Sequence, residues 1–345
     1  MSEIIQANKL FNPEGDDDKS MRTIIKNVTG LFNLNNTKYN RAKSMYTVMI
    51  GNFWIPEKVS GLGDDSIQYE KDLSDAERMA YDGILSFLIF LDSIQTVNLP
   101  NFSAYVTAPE VNLLLAIQAY QEAIHSQSYA TILETVVDVK KRDQIYYFWR
   151  EDKLLLERNQ YIGLYQKFID VPTDESFFAG LIANYLLEGI YFYNGFAFFD
   201  TMADQLKMRA SQRMINYIRR DELTHVTLFA NIFLEIKKEF PDMRNEKLIY
   251  EMFEVAVMQE IEWSHHILGD KIVGINGKNT EEYTKWIAND RLSLLQLKPL
   301  YPEVTKNPYQ HLERLQDANG EKGNFFESTV TNYTQSSSMK GGWDF

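Results

Sequence analysis

Apolar residues recur at helical spacing through most of this chain, and the alternation of a half-buried strand is nowhere sustained. Tyr39 to Trp54 can begin the fold, with Pro56, Gly61 and Gly63 marking a connection after it. Ser74-Asp75-Ala76-Glu77 fits a capping box and opens the first strong helix. Its apolar run, Ile84 to Ile94, contains one carboxylate, Asp92. Ala108-Pro109-Glu110 opens a second helix, with Pro and Glu in the first turn, expected to reach Val139. A further helix is expected between Arg142 and Ile169, and Pro172-Thr173-Asp174 caps one from Glu175 to Gln205. Met208 to Phe240, ended by Pro241, then Asn245 to Ile272 and Thr280 to Leu297, complete the set.

This pattern predicts one all-α domain over residues 37–315, of about seven or eight long helices. No internal repeat is visible. Residues 1–36, with Asn12, Pro13, Gly15 and the acidic run after them, read as a solvated N-terminal arm. Residues 316–345 are rich in Gly, Ser and Gln and read as a mobile tail, finished by the aromatic Trp343-Asp344-Phe345.

Composition narrows the chemistry. With 45% hydrophobic residues, the 345-residue chain can bury a sizeable core. A net charge of −13 repels phosphate backbones, which argues against nucleic acid as the main partner. The longest apolar stretch, Ile84 to Leu91 interrupted by Ser86, is short for a membrane span, and Met1 to Asn8 lacks the pattern of a signal peptide. The cytoplasm is the expected location. Cysteine is absent, so thiolate metal sites and cysteine nucleophiles are excluded and any bound metal relies on Asp, Glu and His.

Two of the five histidines lie in Glu-x-x-His: Glu122-Ala-Ile-His125 and Glu222-Leu-Thr-His225. Residues i and i+3 share a helix face. A lone Glu-x-x-His is ordinarily a solvated face. Here, however, two more carboxylates stand inside apolar runs, Asp92 and Glu188, where isolated charge is costly unless paired or metal-bound. Asp92, Glu122, Glu188 and Glu222 together balance two divalent ions, with His125 and His225 as neutral ligands. One carboxylate on each of four helices, two of them with a histidine, is the pattern of di-iron and dimanganese carboxylate bundles. Oxygen and imidazole donors suit those metals. Tyr129, seven residues after Glu122, returns to nearly the same face and should border the pocket. Phe192 and Phe196, at i+4 and i+8 from Glu188, would wall it.

The segments Leu91-Asp92-Ser-Ile-Gln95, Glu122-Ala-Ile-His125-Ser-Gln-Ser-Tyr129, Glu188-Gly-Ile-Tyr-Phe192 and Arg220-Asp221-Glu222-Leu-Thr-His225 resemble, in this order, the small subunit of class I ribonucleotide reductase. The resemblance runs from Tyr39 to the C-terminus. It implies a ferritin-like bundle with two metal ions per chain, iron foremost and manganese as the alternative. It implies that the pair reacts with oxygen or a reduced oxygen species to give an oxidant, held on Tyr129 as a tyrosyl radical or on the metals. Asp92 in place of Glu, and Tyr129 in place of Phe, resemble the tyrosyl-radical subclasses. By the same resemblance Trp54, in Asn52-Phe53-Trp54-Ile-Pro56-Glu57, is the radical-transfer tryptophan. Asp221 links it to His125, Tyr333 is the relay tyrosine of the tail, and Glu327, in Asn324-Phe-Phe-Glu327, is its nearby carboxylate. The implied partners are a large subunit that binds nucleotide and docks the tail, a second copy in a homodimer, and a flavodoxin-like activator if the pair is manganese. The rival expectations are another di-metal oxidase or desaturase on the same bundle, or a metal store.

Overall fold

The computed structural model describes residues 3–15, 18–27 and 32–316. Among them there is no strand, only isolated bridges between Ile4 and Thr173 and between Ile25 and Val106. The chain is all helical. In order, the helices are α1 (Asn40–Gly51), α2 (Leu62–Lys71), α3 (Asp75–Ser103), α4 (Pro109–Val136), α5 (Val139–Glu151), α6 (Lys153–Arg158) and α7 (Ile162–Asp170). There follow α8 (Asp174–Leu186), a π turn (Leu187–Tyr191), α9 (Tyr193–Asp204), α10 (Arg209–Glu239), α11 (Glu246–Ile267), α12 (Gly277–Leu294) and the short α13 (Glu313–Gln316).

Local chemistry sets most of these boundaries. Ser74 and Glu77 close the capping box reciprocally, with N···O distances of 3.2 and 2.8 Å. Thr173 caps α8 the same way through Ser176. Asp152 accepts from Leu155 N at 2.9 Å and starts α6, so residues 142–169 form three short helices rather than the single one expected. Residues 175–205 likewise form α8 and α9 with the π turn between them.

Helix α2 lies where the glycines predicted only a connection, and its function is tertiary. Met208, before α10, offers no side-chain cap. Asp65 of α2 instead accepts from Ser211 N at 2.7 Å and Ala210 N at 3.3 Å, and Gln68 from Met208 N at 2.7 Å. These bonds satisfy the orphan amides of a helix that carries two candidate ligands.

The arm is less solvated than its composition suggests. Ile5, Arg22, Ile24 and Ile25 are buried, and Glu239 accepts from Ile24 N at 2.9 Å. Arg22 pairs with Glu110, which also accepts from the backbone of Lys38 and Tyr39 at 2.7 and 2.9 Å. The arm thus holds the start of α4. Helix α3 is long and apolar enough to cross a membrane by length and composition, longer than the apolar run suggested, but 67% of its most apolar window is buried in the fold. It serves as a core helix.

The helices that carry the candidate ligands show why these residues meet where they do. Along α4 the buried positions include Leu114, Leu115, Gln118, Gln121, Glu122, His125, Ser128, Tyr129, Ile132 and Leu133, spaced by three and four. The inward stripe is aliphatic at both ends and polar in the middle. Helix α10 does the same, passing from Ile215 and Ile218 through Asp221, Glu222 and His225 to Phe229 and Ile232.

Candidate metal centre

Asp92 on α3, Glu122 and His125 on α4, Glu188 on the π turn, and Glu222 and His225 on α10 all show 0% exposure. Their donor atoms form two overlapping groups. Asp92, Glu122, His125 and Glu222 make one; Glu122, Glu188, Glu222 and His225 make the other, with atoms within 4.8 Å of one another in each. Glu122 and Glu222 belong to both. The six residues expected from the sequence therefore meet at one place as two donor groups sharing two carboxylates.

The histidine orientations are specific. His125 Nδ1 lies 3.1 Å from Glu222 Oε1 and 3.3 Å from Glu122 Oε2. His225 Nδ1 lies 2.7 Å from Glu222 Oε2 and 3.1 Å from Glu122 Oε1. The opposite nitrogens point away: His125 Nε2 is 3.3 Å from Asp221 Oδ2, and His225 Nε2 is 3.0 Å from Gln121 Oε1. An Nε2–H directed at those acceptors leaves both Nδ1 lone pairs facing the carboxylates, the arrangement seen when imidazole binds a metal.

Several oxygens that face inward have no hydrogen-bond partner. They include both of Asp92, Glu122 Oε2, Glu188 Oε2 and Glu222 Oε1, together with His125 Nδ1. Buried unpaired carboxylates cost several kcal/mol, and a cation between them removes that cost. Without one, the cluster shares protons. Burial and then the Glu122 charge push the Asp92 and Glu188 carboxyls well above the usual range. Burial pushes Glu222 the same way, but His225 and His125 outweigh it and hold that carboxyl low. Burial opposes the charged forms of both histidines, and the Glu222 charge overrides it and raises them. The donor set fits two divalent cations of the iron or manganese type.

Three glutamines, which the sequence alone did not single out as functional, complete the surroundings. Gln95 and Gln118 donate to Glu188 Oε1, the latter at 2.7 Å, and Gln121 accepts from His225. Gln118, one helical turn before Glu122, was the available signal.

Beyond the cluster, Tyr129 is fully buried, and after burial the adjacent Asp92 carboxylate is the main cause pushing its pKa up. Trp54 donates its indole N–H to Asp221 Oδ2 at 2.9 Å. Asp221 is fully buried, with Arg220 Nε 3.7 Å from its other oxygen, while Arg219 pairs with Asp200 at 2.8 Å. Half-buried Trp54 stacks on Tyr217 at 5.1 Å and lines an open cavity of about 430 Å³ with Lys58, Arg213 and Arg220. Phe192 and Phe196 are buried and stacked at 5.7 Å, with the Arg219 guanidinium over Phe196. Tyr333 and Glu327, with the rest of the tail, lie outside the described residues.

The profile of the family described as "Ribonucleotide reductase, small chain" matches residues 31–308. Among curated proteins, the chain is 43% identical to the ribonucleoside-diphosphate reductase subunit beta of Treponema pallidum (strain Nichols), over 98% of each chain. Among solved structures, it is similar to the ribonucleotide reductase R2 subunit from Clostridium botulinum, with a TM-score of 0.87 and 44% identity over 91% of this chain and 99% of that one. The dimanganese(II)-NrdF of Streptococcus sanguinis shares the fold, with a TM-score of 0.72 at 21% identity over 83% of this chain and 98% of that one. These likenesses favour the reductase over the desaturase and storage readings. The chain belongs to the ribonucleotide reductase small-chain family, the oxidoreductase subunit that works with a large subunit to turn ribonucleoside diphosphates into deoxyribonucleotides.

Proposed function

We propose that Asp92, Glu122, His125, Glu188, Glu222 and His225 hold two metal ions, iron foremost with manganese as the alternative, and that this centre generates the radical used by the large subunit. The observation that carries the reading is the pair of overlapping donor groups sharing Glu122 and Glu222. Asp92 and His125 would complete one site, Glu188 and His225 the other. Bound there, the metals would supply a one-electron oxidant after meeting oxygen or a reduced oxygen species.

The chain's own residues do the rest. Tyr129 gives up one electron and its hydroxyl proton, with Asp92 as the nearby base; its sealed surroundings keep water and reductants from the oxidised ring. Trp54 carries the electron between the surface and the centre. Asp221 bridges Trp54 and His125 through one oxygen, fixing both rings. In the tail, Tyr333 with Glu327 continues the relay, and Trp343 and Phe345 anchor the chain in a groove of the large subunit. We place the protein in the cytoplasm as a homodimer, with a flavodoxin-like activator if its metals are manganese. The deciding experiment is reconstitution of the apoprotein separately with Fe(II) and Mn(II), followed by metal analysis and electron paramagnetic resonance. The expected result is two metals per chain and a tyrosyl signal lost in Tyr129→Phe. Failure of both metals to bind sinks the assignment.

A further inference from the structure

The candidate ligand Glu188 does not sit on α-helix. It occupies the π turn Leu187–Tyr191, between α8 and α9. A π turn takes an extra residue and carries carbonyl oxygens off the regular i to i+4 ladder. Two carbonyls of this turn are met by buried arginines from helices that supply no candidate ligand. Arg291 of α12 donates Nε–H to Gly189 O at 3.1 Å. Arg158 of α6 donates from Nη2 to Tyr191 O at 3.2 Å.

Both side chains are fixed in turn. Tyr185 donates its hydroxyl to the Arg291 carbonyl at 2.8 Å, Asp290 accepts from Arg291 Nη1, and the guanidinium lies 4.7 Å from the centre of the Tyr193 ring. Arg158 pairs with buried Glu260 and stacks over Phe87 at 3.9 Å. Gly189 leaves the room that Arg291 uses: a Cβ there would lie 3.2 Å from Arg291 Cδ and 3.4 Å from its Nε. Relaxing the turn to α geometry shifts the helix by one residue, a rotation of about 100°. Such a slip turns Glu188 away from His225 and from Gln118.

We propose that Arg291, supported by Arg158, is a positioning residue for Glu188: it locks the π register that aims this carboxylate into the donor group of Glu122, Glu222 and His225. The inference rests on Glu188 being a ligand. It places the effect on one site of the two, because Asp92 and His125 stand on α3 and α4, away from the turn.

The test is anaerobic Mn(II) titration of the full-length apoprotein, with free Mn(II) read by electron paramagnetic resonance and melting temperature measured alongside. In Arg291→Met one of the two binding steps should weaken about 10- to 100-fold while the other persists. Arg291→Lys, which keeps a cationic donor, should recover part of that loss. Gly189→Ala keeps the arginine but crowds it, and should weaken the same step; it decides the matter alone if Arg291→Met does not fold. A lower melting temperature with both steps at wild-type affinity makes Arg291 a packing residue and overturns the proposal. Glu188→Ala separates the two ideas. If it binds both ions normally, the ligand assignment fails and the inference falls with it. If it loses one ion while Arg291→Met and Gly189→Ala keep both, only the positioning role fails.

Discussion

Trp54 and Asp221 are 167 residues apart in sequence and share a hydrogen bond of 2.9 Å, made to the same carboxylate oxygen that faces His125 at 3.3 Å. One buried oxygen thus joins a half-exposed indole to a candidate metal ligand. Arg220 lies 3.7 Å from the other oxygen and donates to Asn52 O, which keeps the Trp54 segment against α10. The arrangement makes two separable demands on Asp221: to orient His125 and to hold Trp54.

Substitution separates them. Trp54→Phe removes the indole N–H but leaves Asp221 and His125 in place, so metal content should stay at the wild-type level while turnover with the large subunit is lost. Asp221→Ala removes the partner of both rings and should also weaken metal binding, by about 10- to 100-fold. Metal analysis beside a turnover assay distinguishes the two. Normal turnover in Trp54→Phe would remove this residue from the relay.

Glu188→Ala should lower metal occupancy toward one ion per chain, because one of the anionic donors is gone. The fold should survive in the apoprotein. Burial and the Glu122 charge already push this carboxyl up, so its removal relieves repulsion and offsets the acceptor lost by Gln95 and Gln118, the latter still donating to Glu122 Oε1 at 3.4 Å. Occupancy by plasma emission and melting of the metal-free chain check both halves.

The candidate ligands were legible because charge in an apolar stripe is expensive, and Asp92 and Glu188 each interrupt such a stripe. The π turn was not. Apart from Glu188 and Asn194, Tyr185 to Phe199 is apolar and aromatic and reads as unbroken helix, and the arginines that meet its carbonyls lie 102 and 33 residues away. Helix α2 was hidden for a related reason. Its buried face is only Leu62, Asp65 and Tyr69, flanked by glycines, and its role is to cap α10 through space. Gln121 is an ordinary helix residue until His225 is seen 3.0 Å from it. In each case the missing information is a contact between distant segments, which periodicity does not carry.

Tyr129→Phe tests storage of the oxidant. The hydroxyl is buried beside the Asp92 carboxylate, so deleting it should change the stability of the apoprotein by no more than about 1 kcal/mol. Metal binding should be unchanged, since the ring still fills its space. The tyrosyl resonance signal and most activity with the large subunit should vanish. Activity that persists moves the oxidant to the metals and leaves Tyr129 a packing residue.

Asp82 supplies a pH test remote from the metals. Burial raises its pKa from 3.8 to about 6, against the hydrogen bond from Tyr69 at 2.8 Å and the charges of Lys141 and Arg78. An acid whose folded pKa is raised holds a proton that the unfolded chain gives up. Its contribution is greatest below pH 4 and falls as pH climbs to about 6, by on the order of 2–3 kcal/mol. Asp82→Asn cannot titrate and keeps a partner for Tyr69. Across pH 4 to 7, wild type should lose stability relative to Asp82→Asn. A difference independent of pH means that Asp82 is not shifted.

The tail carries the prediction that distinguishes a working subunit from an isolated metal oxidase. Every candidate ligand lies between Asp92 and His225. Deleting the last ~20 residues should therefore leave metal oxidation intact and barely change melting, since about half of the segment is Gly, Ser, Thr and Gln. Binding to the large subunit should be lost, because Trp343 and Phe345 are the aromatic anchors available there. Tyr333→Phe is the finer cut. It keeps those anchors and removes only the oxidisable hydroxyl, so affinity for the large subunit should match wild type while turnover fails. Binding measured by surface plasmon resonance, beside deoxyribonucleotide formation, separates the two roles. If Tyr333→Phe turns over normally, the relay does not pass through this residue; if the truncated chain binds at wild-type affinity, the docking surface lies on the bundle instead.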